Sequence, residues 1–269
     1  VIYALLKKPF FGKYQKPWRW PEASPRGEWR KLTFASESGG RLAGLFGAAR
    51  GQPRGAVVCA HPMGVEAKGF FLKRGHAAFL RDAGFHVLAF DFNGFGESTT
   101  GDFAYPLDVI AAGRKLKELA PGLPIGLLAA SFGSAWGVCA LAQPGHPFES
   151  AVLECPFTTL DEYWARYRVP SFTLKMLSVV LPEEAHKLRP IAQAARLQPL
   201  RELLFIYGDA DTVTPPAMGE QFVEACSLRR ERVNLWMIHG AVHNKSFDSA
   251  PDEYRRRVVD VFARGQGLQ

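Results

Sequence analysis

Long apolar runs are missing from this chain. No stretch of its 269 residues reaches the roughly 18 uncharged apolar positions that a membrane-spanning helix needs. Cysteine is scarce as well. Cys59, Cys139, Cys155 and Cys226 show no Cys-x-x-Cys spacing and no histidine at zinc-finger distance, so no metal site and no disulfide framework is expected. Cys59 and Cys155 lie inside apolar strand-like runs, where a thiol acts as a small buried hydrophobe. Free thiols fit a reducing, cytoplasmic compartment; secretion with buried thiols is the open alternative. No internal repeat, low-complexity tract or Gly-x-Gly-x-x-Gly fingerprint is present, and the last absence argues against a dinucleotide cofactor. The net charge of +7 is moderate and its basic residues are scattered, which speaks for a solvated surface and against nucleic-acid binding.

An apolar fraction of 47% is ample for a full core in one large α/β domain or two small ones. Residues 1–29 read as an N-terminal extension. They mix Leu5, Leu6, Phe10, Phe11, Trp18 and Trp20 with Lys7, Lys8, Lys13, Lys16 and Arg19. Apolar residues preceding basic ones reverse the order of a secretory leader, and no small-residue cleavage site follows. The arm reads either as an irregular strap packed across the domain or as a basic, aromatic contact with an anionic membrane surface. Val1 reads as an alternative start or a truncation point.

From residue 30 onward the pattern becomes regular. Lys31 to Ser36 and Arg41 to Ala48 flank Ser38-Gly39-Gly40 and read as a hairpin. Strands are expected at Ala56 to Ala60, Phe85 to Phe90, Ile125 to Ala130, Ala151 to Glu154, Leu203 to Tyr207 and Val233 to Ile238. Helices are expected at Phe70 to Ala83, Leu107 to Leu119, Phe132 to Ala142 and Pro251 to Arg264. Such alternation implies a mostly parallel sheet covered on both faces, with ligands bound at the carboxyl ends of its strands.

The special residues gather at those ends. Ile125 to Ala130 stops abruptly at Ser131, flanked two residues away by Ala129 and Gly133, and a helix-compatible segment follows. A sharp strand-to-helix turn that lifts one side chain needs small neighbours at those two positions. A serine hydroxyl is a poor nucleophile near neutral pH unless a base takes its proton, and a carboxylate then steadies the base. Two aspartates, Asp209 and Asp211, follow the strand Leu203 to Tyr207; two histidines, His239 and His243, follow Val233 to Ile238. His239 continues its strand and reads as a structural strand-end residue. His243 lies one loop further on, after Gly240, where a side chain can swing over the serine.

Five local patterns in one order resemble the α/β-hydrolase superfamily over roughly Lys31 to Arg264. They are His61-Pro62-Met63-Gly64, Asp91-x-x-Gly94-x-Gly96-x-Ser98, Ala129-x-Ser131-x-Gly133, Gly208-x-x-Asp211 with Val213-x-Pro215, and Gly240-x-x-His243. Ala129 departs from the commoner glycine but is small enough, and Pro62 replaces the glycine of the family's His-Gly loop. The resemblance implies an eight-stranded, mostly parallel sheet whose second strand is antiparallel, with helices on both faces and a small helical lid. Residues 30–269 would be that domain, with the lid inserted at about 157–200. The resemblance further implies a nucleophile at Ser131, an acid at Asp211, a base at His243 and oxyanion N–H groups at Met63 and Phe132. Asp91 and Ser98 would brace their loop. Pro156-Phe157-Thr158 and the short lid look like the small-lid branch related to prolyl-oligopeptidase catalytic domains.

The implied activity is hydrolysis of an ester-type acyl bond through an acyl-enzyme, without cofactor or metal, on a small-molecule acyl substrate. Thioester or amide cleavage and acyl transfer use the same machinery, and a catalytically silent binding protein is the non-enzymatic alternative. Substrate choice is expected in the lid, where Tyr163, Trp164 and Tyr167 are candidate substrate contacts; at helical spacing these rings also read as lid packing. Oligomeric state is not legible.

Overall fold

A computed structural model of the protein describes residue 7 and residues 12–22, 24–163 and 189–265. Eight strands form one sheet: β1 Trp29–Ala35, β2 Arg41–Gly47, β3 Gly55–Ala60, β4 Phe85–Phe90, β5 Ile125–Ala130, β6 Ser150–Glu154, β7 Glu202–Gly208 and β8 Val233–Ile238. Their order across the sheet is β1-β2-β4-β3-β5-β6-β7-β8. β2 runs antiparallel to both β1 and β4, and every other neighbouring pair is parallel. This is the expected eight-stranded sheet with an antiparallel second strand.

The central strands are buried on both faces, and their side chains alternate between two cores. Along β5, Ile125, Leu127 and Ala129 point into one core, while Leu128 and Ala130 point into the other. The first core is roofed by the helices Tyr105–Leu119 and Phe132–Leu141, with Phe222 of the helix Ala217–Ala225. The second is roofed by the short helices Gly69–Lys73 and His76–Asp82 and the last helix, Pro251–Gly265. Phe262 of that last helix lies against Gly126, where a Cβ would meet the ring at 2.6 Å. Truncating a phenylalanine enclosed in this way costs about 3–5 kcal/mol, so Phe262 is a principal tie between helix and sheet.

Besides the short helices Leu160–Tyr163, Pro190–Ala194 and Ser246–Ser249, which were not individually expected, two segments differ from the sequence expectation. The segment from Phe70 to Ala83 is broken at Gly75, whose φ of +82° ends one short helix and starts the next. Ala217–Ala225 was not expected, because Pro215-Pro216 hid its start; a parallel β7–β8 pair needs a crossover of this kind.

Residues of the N-terminal arm pack on the loop after β4. Tyr14 stacks on Phe95 at 5.7 Å, and Trp18 Nε1 donates to Glu97 at 2.9 Å. Lys68 sits under the Trp18 ring at 5.0 Å. The described part of the arm thus follows the strap reading. Among the described residues no helix is long and apolar enough to cross a membrane.

Candidate active site

Ser131 occupies the turn between β5 and the helix Phe132–Leu141 with φ +48° and ψ −109°, a conformation that a residue with a Cβ rarely adopts. Such strain costs about 1–3 kcal/mol and persists only where the surroundings enforce it. Here the Ser131 N–H donates to the Glu154 carbonyl at 2.8 Å, and its own carbonyl accepts the Ala135 N–H at 2.9 Å. Gly133 explains the small residue after the serine. A Cβ there would stand 2.1 Å from the Ala60 carbonyl oxygen and 2.8 Å from that of His61. The first helical turn therefore rests directly on the backbone at the end of β3.

Asp211 follows β7 and is buried. Its Oδ1 accepts the backbone N–H groups of Val213 and Thr214 at 2.8 and 2.9 Å, and its Oδ2 accepts the Thr214 hydroxyl at 2.8 Å. His243 Nδ1 lies 2.7 Å from the same Oδ2. Burial raises the Asp211 carboxyl's pKa, but hydrogen bonding and charge from His243, with the Thr214 donors, outweigh it and leave the acid below its ordinary value. A carboxylate can only accept, so Nδ1 carries a proton, and Nε2 is the nitrogen left to face the serine. That Nε2 stands 2.9 Å from Ser131 Oγ. The fold thus brings to Ser131 two side chains, Asp211 and His243, that lie 80 and 112 residues from it in sequence.

Gly208 permits this approach. A Cβ on it would meet the Ala241 carbonyl oxygen at 2.0 Å, so only glycine lets the His243 loop close over the end of β7. The other aspartate and histidine pair separately. His239 Nδ1 lies 2.7 Å from Asp209 Oδ2, and Asp209 Oδ1 accepts the Gly240 N–H at 2.6 Å, out at the surface.

His61 fastens the loop after β3. Its Nδ1 donates to the Pro62 carbonyl at 2.7 Å, and its Nε2 accepts the Phe92 N–H at 3.2 Å. Burial lowers its pKa to about 4, against opposing effects of Asp91 and Pro62, so the ring is neutral at pH 7. The far end of that loop is held by a buried ion pair between Lys68 and Asp91, while Asp91 also accepts the Glu97 N–H at 2.9 Å and Ser98 Oγ donates to the Asp91 carbonyl at 2.7 Å. Met63 is half-buried beside the first core.

Of the candidate substrate contacts, Tyr163 ends the short helix Leu160–Tyr163 and leans on Phe157 with ring centres 4.9 Å apart. Trp164 and Tyr167 lie outside the described residues, as does most of the expected lid.

Sequence reasoning missed three neighbours of this site. Thr214 bridges acid and base, with its hydroxyl 3.1 Å from His243 Nδ1. Glu154 stands at the end of β6 and accepts the Tyr254 hydroxyl at 3.2 Å and the Ser246 N–H at 3.3 Å, tying the His243 loop to the sheet. Burial raises its pKa against those hydrogen bonds. Cys155 follows it. Only Thr214 had a local signal, its place inside Val213-x-Pro215.

A strained serine turn after the fifth strand, an aspartate after the seventh and a histidine after the eighth, on a sheet of this order, match the α/β-hydrolase superfamily, and the chain is a member of it. Within it, residues 51–190 match the Hydrolase_4 family, described as serine aminopeptidase, S33; the match covers just over half of the chain, which belongs to that family. The human protein ABHD12B is 26% identical over 181 residues, covering 61% of this chain and 49% of the relative, so the chain spans about half the length of that curated protein. Among solved structures, the Pyrococcus furiosus esterase Pf2001 superposes with a TM-score of 0.74 at 22% identity, covering 94% of this chain and 98% of the esterase. The Pyrococcus horikoshii acylaminoacyl peptidase gives 0.64 at 15% identity, covering 89% of this chain and 42% of the peptidase. At these identities the structural likeness speaks for the fold.

Proposed function

We propose that this protein is a serine hydrolase that cleaves carboxylic esters of small acyl substrates through an acyl-enzyme. The observation that carries the reading is the continuous relay from Ser131 Oγ to His243 Nε2 at 2.9 Å and from His243 Nδ1 to Asp211 Oδ2 at 2.7 Å. In this reading His243 takes the Ser131 proton as the oxygen attacks the carbonyl, and Asp211 stabilises the imidazolium. The N–H groups of Met63 and Phe132 hold the oxyanion, each contributing about 3–4 kcal/mol to the transition state. The N-terminal end of the helix Phe132–Leu141 adds its partial positive charge at the same place. His243 then protonates the leaving group and activates the water that clears the acyl-enzyme.

The decisive experiment is reaction of the purified protein with a fluorophosphonate, read by intact mass, beside Ser131→Ala. One adduct on the wild type and none on the variant is expected. A folded wild-type protein without an adduct would sink the enzyme reading and favour a catalytically silent binding protein. Next comes a panel of matched p-nitrophenyl esters, thioesters and aminoacyl anilides, with added alcohol or amine acceptors. Amide cleavage is the second reading, favoured by the family's aminopeptidase description and the acylaminoacyl peptidase likeness. Faster anilide than ester turnover would establish it, and product partitioning towards the acceptors would establish acyl transfer. Four free thiols, three of them buried, support a reducing compartment such as the cytoplasm, which fractionation of the source cells tests.

A further inference from the structure

The proposed hydrolysis makes no use of the Cys155 thiol, although it lies against the acid and the base. Cys155 closes β6 at φ +41° and is 1% exposed. Its Sγ, a carboxylate oxygen of Asp211 and a ring nitrogen of His243 all lie within 4.8 Å of one another. Among the described residues this is the single group of three such ligands, and Cys59 and Cys139, buried elsewhere, belong to none.

Thiolate, imidazole and carboxylate together form the donor set of zinc and its soft congeners. Bonds of about 2.0–2.3 Å put the ligand atoms of a tetrahedral ion roughly 3.3–3.8 Å apart. The Asp211–His243 edge, 2.7 Å between Oδ2 and Nδ1, has to open by roughly 0.6 Å, and the edges to Sγ, at most 4.8 Å long, have to close by up to about 1.5 Å. The Thr214 hydroxyl touches both Asp211 and His243, and Cys155 Sγ donates to Asn244 Oδ1 at 3.3 Å, so an ion bound here would exchange these contacts for its own bonds.

We propose that Cys155, Asp211 and His243 form an inhibitory site for a soft divalent cation, Zn2+ or Cd2+, which switches the hydrolase off; the inhibitory role rests on the serine-hydrolase reading above. The proton balance explains the inhibition. In the resting ring Nδ1 holds the proton and Nε2 accepts from Ser131. A cation on Nδ1 needs that nitrogen's lone pair, so the ring proton moves to Nε2, and the thiol releases its own proton to solvent. One proton leaves for each ion bound. Nε2–H now donates to Ser131 Oγ and can no longer receive its proton. Charge balance favours the same site, since a dication beside one thiolate and one carboxylate is neutral overall, as a buried cluster must nearly be.

The test titrates Cd2+ into purified wild-type protein and Cys155→Ala. Fluorophosphonate labelling, ester turnover and the ultraviolet thiolate-to-cadmium absorption are followed together. Wild-type protein is expected to lose labelling and turnover as one thiolate–cadmium band grows, and to recover with EDTA. Without metal, Cys155→Ala should label at the wild-type rate. It should need at least about 100-fold more Cd2+ for the same loss, because even outer-shell changes cost 10–100-fold in affinity. If the alanine variant does not fold, Cys155→Ser supplies the comparison, its hydroxyl being a poor ligand for a soft ion. Equal Cd2+ sensitivity in variant and wild type overturns the proposal. So does a wild-type adduct that persists in excess Cd2+ with no band. Absence of any adduct on folded wild-type protein overturns the hydrolase reading, and the inhibitory role with it.

Discussion

Two aspartate–histidine pairs bridge the ends of β7 and β8, and at the contact they are alike: each joins Nδ1 to Oδ2 at 2.7 Å. Their surroundings differ. The Asp209–His239 pair stands in solvent, with the His239 side chain fully exposed. In the Asp211–His243 pair the histidine is 17% exposed and the acid only 1%. The outer histidine ends at its carboxylate, whereas the inner one continues to Ser131. A hydrogen bond of good length is therefore not what distinguishes the two histidines. The carboxylate orients either ring; what differs is that the inner pair is buried and that a third group, the Ser131 hydroxyl, meets its other nitrogen.

Breaking the inner pair should have the largest effect. Ser131→Ala, His243→Ala and Asp211→Asn should each lower kcat/KM for a p-nitrophenyl ester by about 10^4-fold or more, with circular dichroism unchanged. Loss of less than tenfold in any of them would assign the relay a structural role. Gly208→Ala comes next, because it disturbs both pairs at once by pushing Ala241 away from β7. A displacement near 1 Å at the base should cost about 100-fold in kcat; a smaller loss would mean that the loop tolerates the extra carbon.

A third measurement asks what burial does to a histidine away from the site. His76 is enclosed by Phe70, Phe71, Phe79, Phe247 and Tyr254, and neither ring nitrogen has a hydrogen-bond partner among the described residues. Burial, helped by Arg74 and opposed by Asp248, lowers its pKa to about 3. Protonation is then harder in the folded than in the unfolded chain, so stability is full above about pH 6.5 and is lost as the pH falls towards 3. His61 acts in the same direction down to about pH 4. His76→Phe should flatten the fall in unfolding free energy between pH 7 and pH 4, measured by urea titration, by an amount on the order of 3 kcal/mol. Parallel wild-type and variant curves would contradict this. The smallest effect belongs to the outer pair: His239→Ala should keep kcat/KM within about twofold, as for an exposed ion pair. A tenfold loss would erase the distinction between the pairs.

Much of this arrangement is readable in the sequence because the constraints are local. Ala129 and Gly133 announce the strained Ser131 turn, and Gly208 and Gly240 announce the loops that bring in an aspartate and a histidine. The choice of His243 over His239 also follows from one loop's worth of reach. Elsewhere the partners are remote. Glu154 meets Tyr254 across 100 residues, and Cys155 faces Asp211 only because β6 and β7 are neighbours. No pattern within a short window encodes such contacts. The break at Gly75 was legible in principle, but the apolar spacing on either side of it reads as one continuous helix.

Ser131 sits near the middle of the sheet, whereas His243 hangs from β8, which is the outermost strand and pairs with β7 alone. An edge strand opens at lower free energy than the interior. Turnover should consequently behave as a gauge of that edge, failing in urea before tryptophan fluorescence reports general unfolding; coincident transitions would contradict this. On the proposed reading the same geography delays competence on the ribosome, because every strand except the last can be in place while Ser131 still lacks His243. On that reading the chain gains its reactive serine only when its final strand docks.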